Sequence, residues 1–148
     1  MRKAAWSACS LSLAVLGLLH PVAAGADDSD FIKYRQLAMK ELDAEGAALG
    51  MIVAGQIPPD TLAAQLNAIA TSARIAQKSF DSKTPGGDAK SEVWSNWADF
   101  ARRMQSFVEK SQQLAKAGEN NDVAAVSGLM LDALTCKECH DTYRNKKK

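Results

Sequence analysis

The run Leu62-Ala63-Ala64-Gln65-Leu66-Asn67-Ala68-Ile69-Ala70-Thr71-Ser72-Ala73-Arg74-Ile75-Ala76-Gln77-Lys78-Ser79-Phe80 places apolar side chains at Leu62, Leu66, Ile69, Ala73, Ala76 and Phe80, in alternating steps of four and three. Steps of that size keep one face of a 3.6-residue helix apolar and leave the rest to water. The alternation is the seam of a helix that packs lengthwise against other helices. A strand cannot use it, because a strand buries every second residue.

The pattern repeats on both sides. Toward the C-terminus, Asp81 to Asp88 holds the turn formers Ser82, Pro85, Gly86 and Gly87 and predicts the longest loop. A third helix is expected from Lys90 or Ser91, with Val93, Trp97, Phe100, Met104, Phe107, Ser111 and Leu114 inward. Gly118 to Asn121 predicts a short turn, and Asp122 a cap for a last helix that buries Val123, Val126, Met130 and Leu134 and runs on through Cys136 and His140 toward Arg144.

Toward the N-terminus, Asp60 is expected to cap the second helix, and Gly55 with Pro58-Pro59 to end the first. That first helix has possible N-caps at Asp27, Asp28, Ser29 and Asp30, and a broad stripe through Phe31, Tyr34, Arg35, Ala38, Met39, Leu42, Gly46, Leu49 and Val53. Met51 and Met104 are read as packing. No segment alternates with period two, and no solenoid repeat is visible. The expectation is an all-α fold: an antiparallel up-down-up-down four-helix bundle with a cofactor between facing helices.

The chain has 148 residues, 47% of them hydrophobic, enough for one domain with a real core. Its beginning reads differently. Arg2 and Lys3, an apolar run from Leu11 to Leu19 and the small residues Val22-Ala23-Ala24-Gly25-Ala26 have the three parts of a secretory signal peptide. Residues 1–24 are therefore expected to be removed, by cleavage after Ala24 or Ala26, leaving 25–148 as the bundle domain. The apolar run is well short of the about 20 residues a membrane span needs, so the mature protein is expected to be periplasmic and not inserted in the membrane. Of the 18 lysines and arginines, Arg2 and Lys3 leave with the signal; the remaining 16 face 17 acidic side chains, a net charge of −1. That balance points to neither nucleic acid nor an anionic membrane as partner. Lys146-Lys147-Lys148 reads as a solvated tail.

Of three cysteines, Cys9 lies in the signal, so the mature chain keeps only the pair in Cys136-Lys137-Glu138-Cys139-His140. Cys-x-x-Cys-His is the pattern of haem attached through two thioether bonds, one haem c per chain, with the histidine as axial ligand to iron. Residues three and four apart share a helix face, so Cys136 and Cys139 reach one porphyrin edge and His140 is carried beneath it. A structural zinc site needs four ligands, and once His20 has gone with the signal only these three soft or imidazole groups remain. A thioredoxin-like pair calls for a βαβ setting and a thiolate at a helix start; here the motif is expected late in a helix, with no strand before it.

Three stretches together resemble cytochrome c′, the class II c-type cytochromes with a C-terminal haem motif: Lys33-Tyr34-Arg35-Gln36, Gly86-Gly87-Asp88-Ala89 with Trp94, and Cys136-Lys137-Glu138-Cys139-His140-Asp141-Thr142-Tyr143-Arg144. The resemblance spans the mature chain and implies the same fold, cytochrome c′ being itself a type example of the up-down bundle. It implies His140 as proximal ligand, Met39 as the distal residue, Arg35 near a haem propionate, Arg144 beside the proximal imidazole, Trp94 bordering the haem, and a homodimer through the first two helices.

Two jobs follow for such a haem. With the iron pentacoordinate, small gases such as NO or CO bind in an apolar pocket; with Met39 as sixth ligand, a low-spin His/Met electron carrier results, its potential raised by the thioether. The resemblance favours the first, with electron transfer to an unidentified redox partner protein also open. The chain shows no paired acid and base, no nucleophile beside a base and no phosphate-cradling glycine loop, so an enzyme is not expected.

Overall fold

The computed structural model describes residues 26–146, so the signal peptide expected at residues 1–24, and Lys147 and Lys148, lie outside the described residues. Four long helices form the bundle: α1 (Asp28–Val53), α2 (Leu62–Lys78), α4 (Trp97–Ala117) and α5 (Val123–Ala133); one-turn α3 (Glu92–Ser95) precedes α4, and α6 (Cys136–Tyr143) follows α5. Each long helix packs on its neighbours in chain order, and α5 returns to α1, which closes the antiparallel ring. Among the described residues there is no strand, only an isolated antiparallel bridge between Ala89 and Arg144.

α1 begins with a capping box. The Asp27 carboxylate accepts the Asp30 N–H at 3.0 Å, and the Asp30 carboxylate accepts the Asp27 N–H at 3.3 Å. Gly55, at φ +71°, turns the chain out of the helix. The α2 seam is buried at all six predicted positions, and Val93, Phe100, Met104, Ser111 and Leu114 are buried on the third helical stretch. Leu49, Leu62, Leu66, Leu114 and Val126 form the apolar core at one end of the bundle, where full burial contributes roughly 1.5–3 kcal/mol per large aliphatic side chain. An aromatic cluster of Phe80, Phe100 and Tyr143, with Trp94 and Trp97 against it, fills the other end.

Four sequence expectations change. Asp60 does not cap α2: Pro59–Thr61 is a 3-10 turn, α2 starts at Leu62, and its Ala63 N–H is taken at 3.0 Å by Asn121 Oδ1 from the turn between α4 and α5. Phe31, Tyr34 and Met51 are exposed, not buried, because α1 meets neighbours on one side only, through Arg35, Ala38, Leu49 and Ile52. The third helix breaks at Asn96 (φ −119°, ψ 45°), which separates α3 from α4. The last helix breaks at Leu134 and Thr135, so the Cys-x-x-Cys-His motif opens a helix of its own instead of closing a long one.

Candidate haem-attachment site

The break after α5 makes room for the site. Leu134 leaves helical geometry at ψ 58°, its N–H held by the Met130 carbonyl, and α6 then starts in a new direction with Cys136 as its first residue. A cavity of about 480 Å³ is lined by Leu134 and Thr135 at the break and by Cys136, Cys139 and His140 of α6. That volume falls within the roughly 300–1,000 Å³ of cofactor pockets. α1 contributes Arg35, Met39, Leu42 and Gly46 to the wall, α2 Ile69, and α4 Phe100, Met104 and Phe107. The wall is mainly apolar, with Arg35 and Arg144 as cations at its edge.

Cys136 and Cys139 are not joined to each other by a disulfide. Burial pushes both thiols above the ordinary cysteine value, even though Cys136 sits at a helix start where the dipole favours a thiolate. A redox dithiol needs the opposite shift. Nor do three or more His, Cys, Asp or Glu side chains converge into a metal-binding group among the described residues. The set that lines the cavity, two thiols three apart and an adjacent imidazole on a mainly apolar wall, fits haem c.

His140 is half-buried, and its pKa is lowered first by burial and then by Arg144, whose Nη1 stands 3.4 Å from His140 Nδ1. A guanidinium carries donors only, so a hydrogen bond here makes Nδ1 the acceptor, and the charge of Arg144 adds to burial in disfavouring the imidazolium.

Tyr143, three residues on, is buried. Its hydroxyl donates to Asp99 Oδ2 at 2.5 Å and accepts from Asn96 Nδ2 at 3.2 Å. The Tyr143 hydrogen bond and then Arg103, at 2.6 Å, hold the Asp99 carboxyl below the ordinary aspartate value. Tyr143 thus ties α6 to α4. From the other side Lys90 Nζ reaches the carbonyls of Asp141 and Thr142 at the end of α6, and the Lys90 N–H donates to the Tyr143 carbonyl. Sequence reading gave no role to Asn96 or Asp99 and named Lys90 only as a possible helix start; the partners of all three lie more than 40 residues away in the chain. The only trace of this clamp was Tyr143 within the quoted motif.

Arg35 is 3% exposed. Its Nη1 donates to the Thr84 carbonyl at 2.9 Å and its Nη2 to the Gly86 carbonyl at 2.8 Å, while the guanidinium lies over Phe80 and Trp94. The loop can approach this closely because Gly86 and Gly87 have positive φ and a Cβ at either would stand under 3.0 Å from Ile32. Met39 is half-buried on the cavity wall, and Met104 from α4, itself buried, lines it too. Trp94 stands behind Arg35, against Phe80 and Trp97, and is not part of the wall; its Nε1 is buried without a hydrogen-bond partner.

The family model described as Cytochrome C' matches residues 30–144. A cytochrome c' of Alcaligenes xylosoxydans xylosoxydans is 32% identical over 125 residues, covering 82% of this chain and 98% of that protein. A cytochrome c' of Pararhodospirillum photometricum is 34% identical over 125 residues, at 80% and 99% coverage. A cytochrome c-556 of Agrobacterium tumefaciens (strain B2A) is 28% identical over 120 residues, covering 78% and 98%. Among solved structures, a nitric oxide complex of a variant of cytochrome c prime from Alcaligenes xylosoxidans superposes with a TM-score of 0.76 at 31% identity, covering 83% of this chain and 99% of that one. A carbon monoxide-bound variant of the same protein gives 0.75, also at 31% identity, covering 82% and 98%. With the bundle, the cavity and the thiol and imidazole donors in place, the chain belongs to the cytochrome c′ family and carries covalently attached haem c.

Proposed function

We propose that this protein is a periplasmic, pentacoordinate haem protein that binds small gases such as NO or CO, carries electrons, or does both. The observation that carries the reading is the convergence of Cys136, Cys139 and His140 on one apolar cavity of about 480 Å³. Cys136 and Cys139 hold the group by thioether bonds, and His140, the single histidine among the described residues, is the proximal ligand. When bound, the haem would supply an iron able to take up a gas and a one-electron couple. The chain's own residues do the rest. Leu42, Ile69 and Phe107 exclude water and offer no hydrogen bond, which suits an uncharged diatomic better than a polar ligand. Arg144 stands beside the imidazole with its positive charge. Arg35, which lines the cavity, is the donor closest in kind to what a propionate requires. The similar solved structures with nitric oxide and carbon monoxide support the gas-binding reading, and no residue is assigned a catalytic role.

A second reading rests on Met39. It lines the cavity, and as sixth ligand it would make the protein a low-spin His/Met electron carrier. Visible absorption spectra of the ferric and ferrous protein decide between the two. High-spin pentacoordinate spectra, unchanged in Met39→Ala, are expected; a low-spin spectrum that turns high-spin in Met39→Ala would establish the second reading instead. Homodimerisation through α1 and α2 belongs to the same proposal, supported by the exposed Leu37, Ala44 and Met51, seven residues apart along α1. No helix among the described residues is long and apolar enough to cross a membrane.

A further inference from the structure

Phe100 and Met104 form part of the haem cavity wall, and both have a second face. They are also the floor of a separate crevice of about 200 Å³ between α2 and α4. Trp97 and Ala101 line its sides, and Gln77, Lys78 and Asp81 form its polar rim. The floor side chains are buried, whereas Lys78 and Asp81 are exposed. The crevice therefore runs from solvent to a partition that it shares with the haem cavity.

The two partition side chains differ in freedom. Phe100 is held among aromatic rings, with centroids 4.7 Å from Phe80, 5.3 Å from Tyr143 and 5.8 Å from Trp97. Met104 belongs to none of these ring pairs and is an unbranched thioether with three rotatable bonds, the side chain best suited to swing aside without disturbing its neighbours. The helices themselves are braced here, because Gln77 Nε2 donates to Gln105 Oε1 at 2.9 Å across the α2 to α4 gap. A passage at this point opens through the side chain and not by parting the bundle.

We propose that this crevice is the entry route for small neutral diatomic gases to the haem, with Met104 as its gate. The inference rests on the gas-binding reading and adds to it the path and the moving part. A space of about 200 Å³ exceeds several-fold the roughly 30 Å³ share of a single water molecule, which a diatomic gas resembles in size. An uncharged diatomic leaves water for an apolar floor at little cost, whereas ions and hydrogen-bonding solutes lose hydration that Phe100 and Met104 do not replace.

A route residue alters the barrier between two end states and leaves the end states alone. Ala101 is the position to change, since it lines the crevice and is not part of the haem cavity wall. Ala101→Phe and Ala101→Trp in the haem-loaded protein are compared with wild type by flash photolysis and stopped-flow with carbon monoxide. Association and dissociation rate constants are expected to fall together, by about fivefold or more, with the equilibrium constant and the visible spectrum unchanged. Rates within about twofold of wild type in both variants overturn the route, as does a fall in association matched by an equal loss of affinity, which would mean that the site itself had changed. Xenon titration followed by NMR is the second readout. Wild type is expected to show xenon-dependent shifts at the Ala101 and Met104 amides that Ala101→Trp abolishes, and their absence in wild type overturns the proposal even where a variant fails to fold. A wild-type protein that binds no carbon monoxide sinks the gas-binding reading and the route with it; one that binds it with variant kinetics unchanged sinks the route alone.

Discussion

Arg35→Leu is the substitution that most directly tests how α1 and the loop before α3 are held. The wild-type guanidinium makes two hydrogen bonds, to Thr84 O at 2.9 Å and Gly86 O at 2.8 Å, and lies 5.0 Å from the Phe80 centroid and 5.4 Å from that of Trp94. Hydrogen bonds from a charged group contribute about 1.5–3 kcal/mol each, and desolvated cation–π contacts about 1–2 kcal/mol. Against this stands the cost of keeping a charge 3% exposed, several kcal/mol, which leucine removes. The balance is a net loss of about 3 kcal/mol, because the two carbonyls lose their donor while the new side chain fills only part of the volume. At a urea m-value near 1.5–2 kcal/mol/M, the unfolding midpoint of the haem-loaded protein should fall by about 1.5–2 M. Arg35→Lys keeps the charge without the fork and should lose about half as much. Tryptic cleavage after the exposed Lys83 should accelerate in both variants as the loop is released. An Arg35→Leu midpoint within about 0.3 M of wild type would refute the reasoning, since the loop would then be held by something other than this residue.

Two other perturbations follow from packing and from charge. A Cβ at Gly118 would stand 2.1 Å from Leu66 Cδ1 and 3.0 Å from Val126 Cγ2, both on fully buried side chains. Gly118→Ala is therefore expected to cost about 2 kcal/mol and lower the melting temperature by roughly 5–10 °C in a thermal scan, and an unchanged melting temperature would mean that α2, α4 and α5 meet more loosely there. Glu45 presents the opposite case. Burial pushes its carboxyl pKa up, the Ser72 hydrogen bond at 3.0 Å pulls it down, Glu41 adds to the rise, and Oε2 has no partner. A raised folded-state pKa gives stability that is fully present below the unfolded value of about 4.3 and is lost as pH rises through the folded one. Glu45→Gln should thus gain on wild type between about pH 4 and pH 7 in urea unfolding, and parallel curves for the two proteins across that range would contradict the assignment.

The α2 seam and the capping box of α1 were legible because both depend on residues three and four apart, a distance the helix itself sets. The Cys136 to His140 motif was legible for the same reason. The errors lie where the chain's local rules leave a choice. Asp60 is as good a capping residue by type as Asn121, but only Asn121 is brought to Ala63 by the turn after α4. Met51 has the chemistry of a core residue and sits on a side of α1 that no other helix covers. The continuous last helix was a fair reading of Val123 to Tyr143, since nothing at Leu134 or Thr135 forbids helical geometry; beyond the break, α6 is held by Tyr143 on Asp99 and Asn96 and by Lys90 on its end, contacts that local spacing does not reveal.

Sequence alone therefore settled the class of fold, the attachment motif and the family likeness, all carried by short-range spacing that survives without knowledge of partners. Tertiary structure decided the rest. It ended α5 at Ala133, it brought Cys136, Cys139 and His140 onto one cavity, it buried Arg35 against the Thr84 and Gly86 carbonyls, and it set Phe100 and Met104 as a wall with two faces. Those features depend on contacts between residues tens of positions apart, and such contacts exist only once the helices have chosen their neighbours.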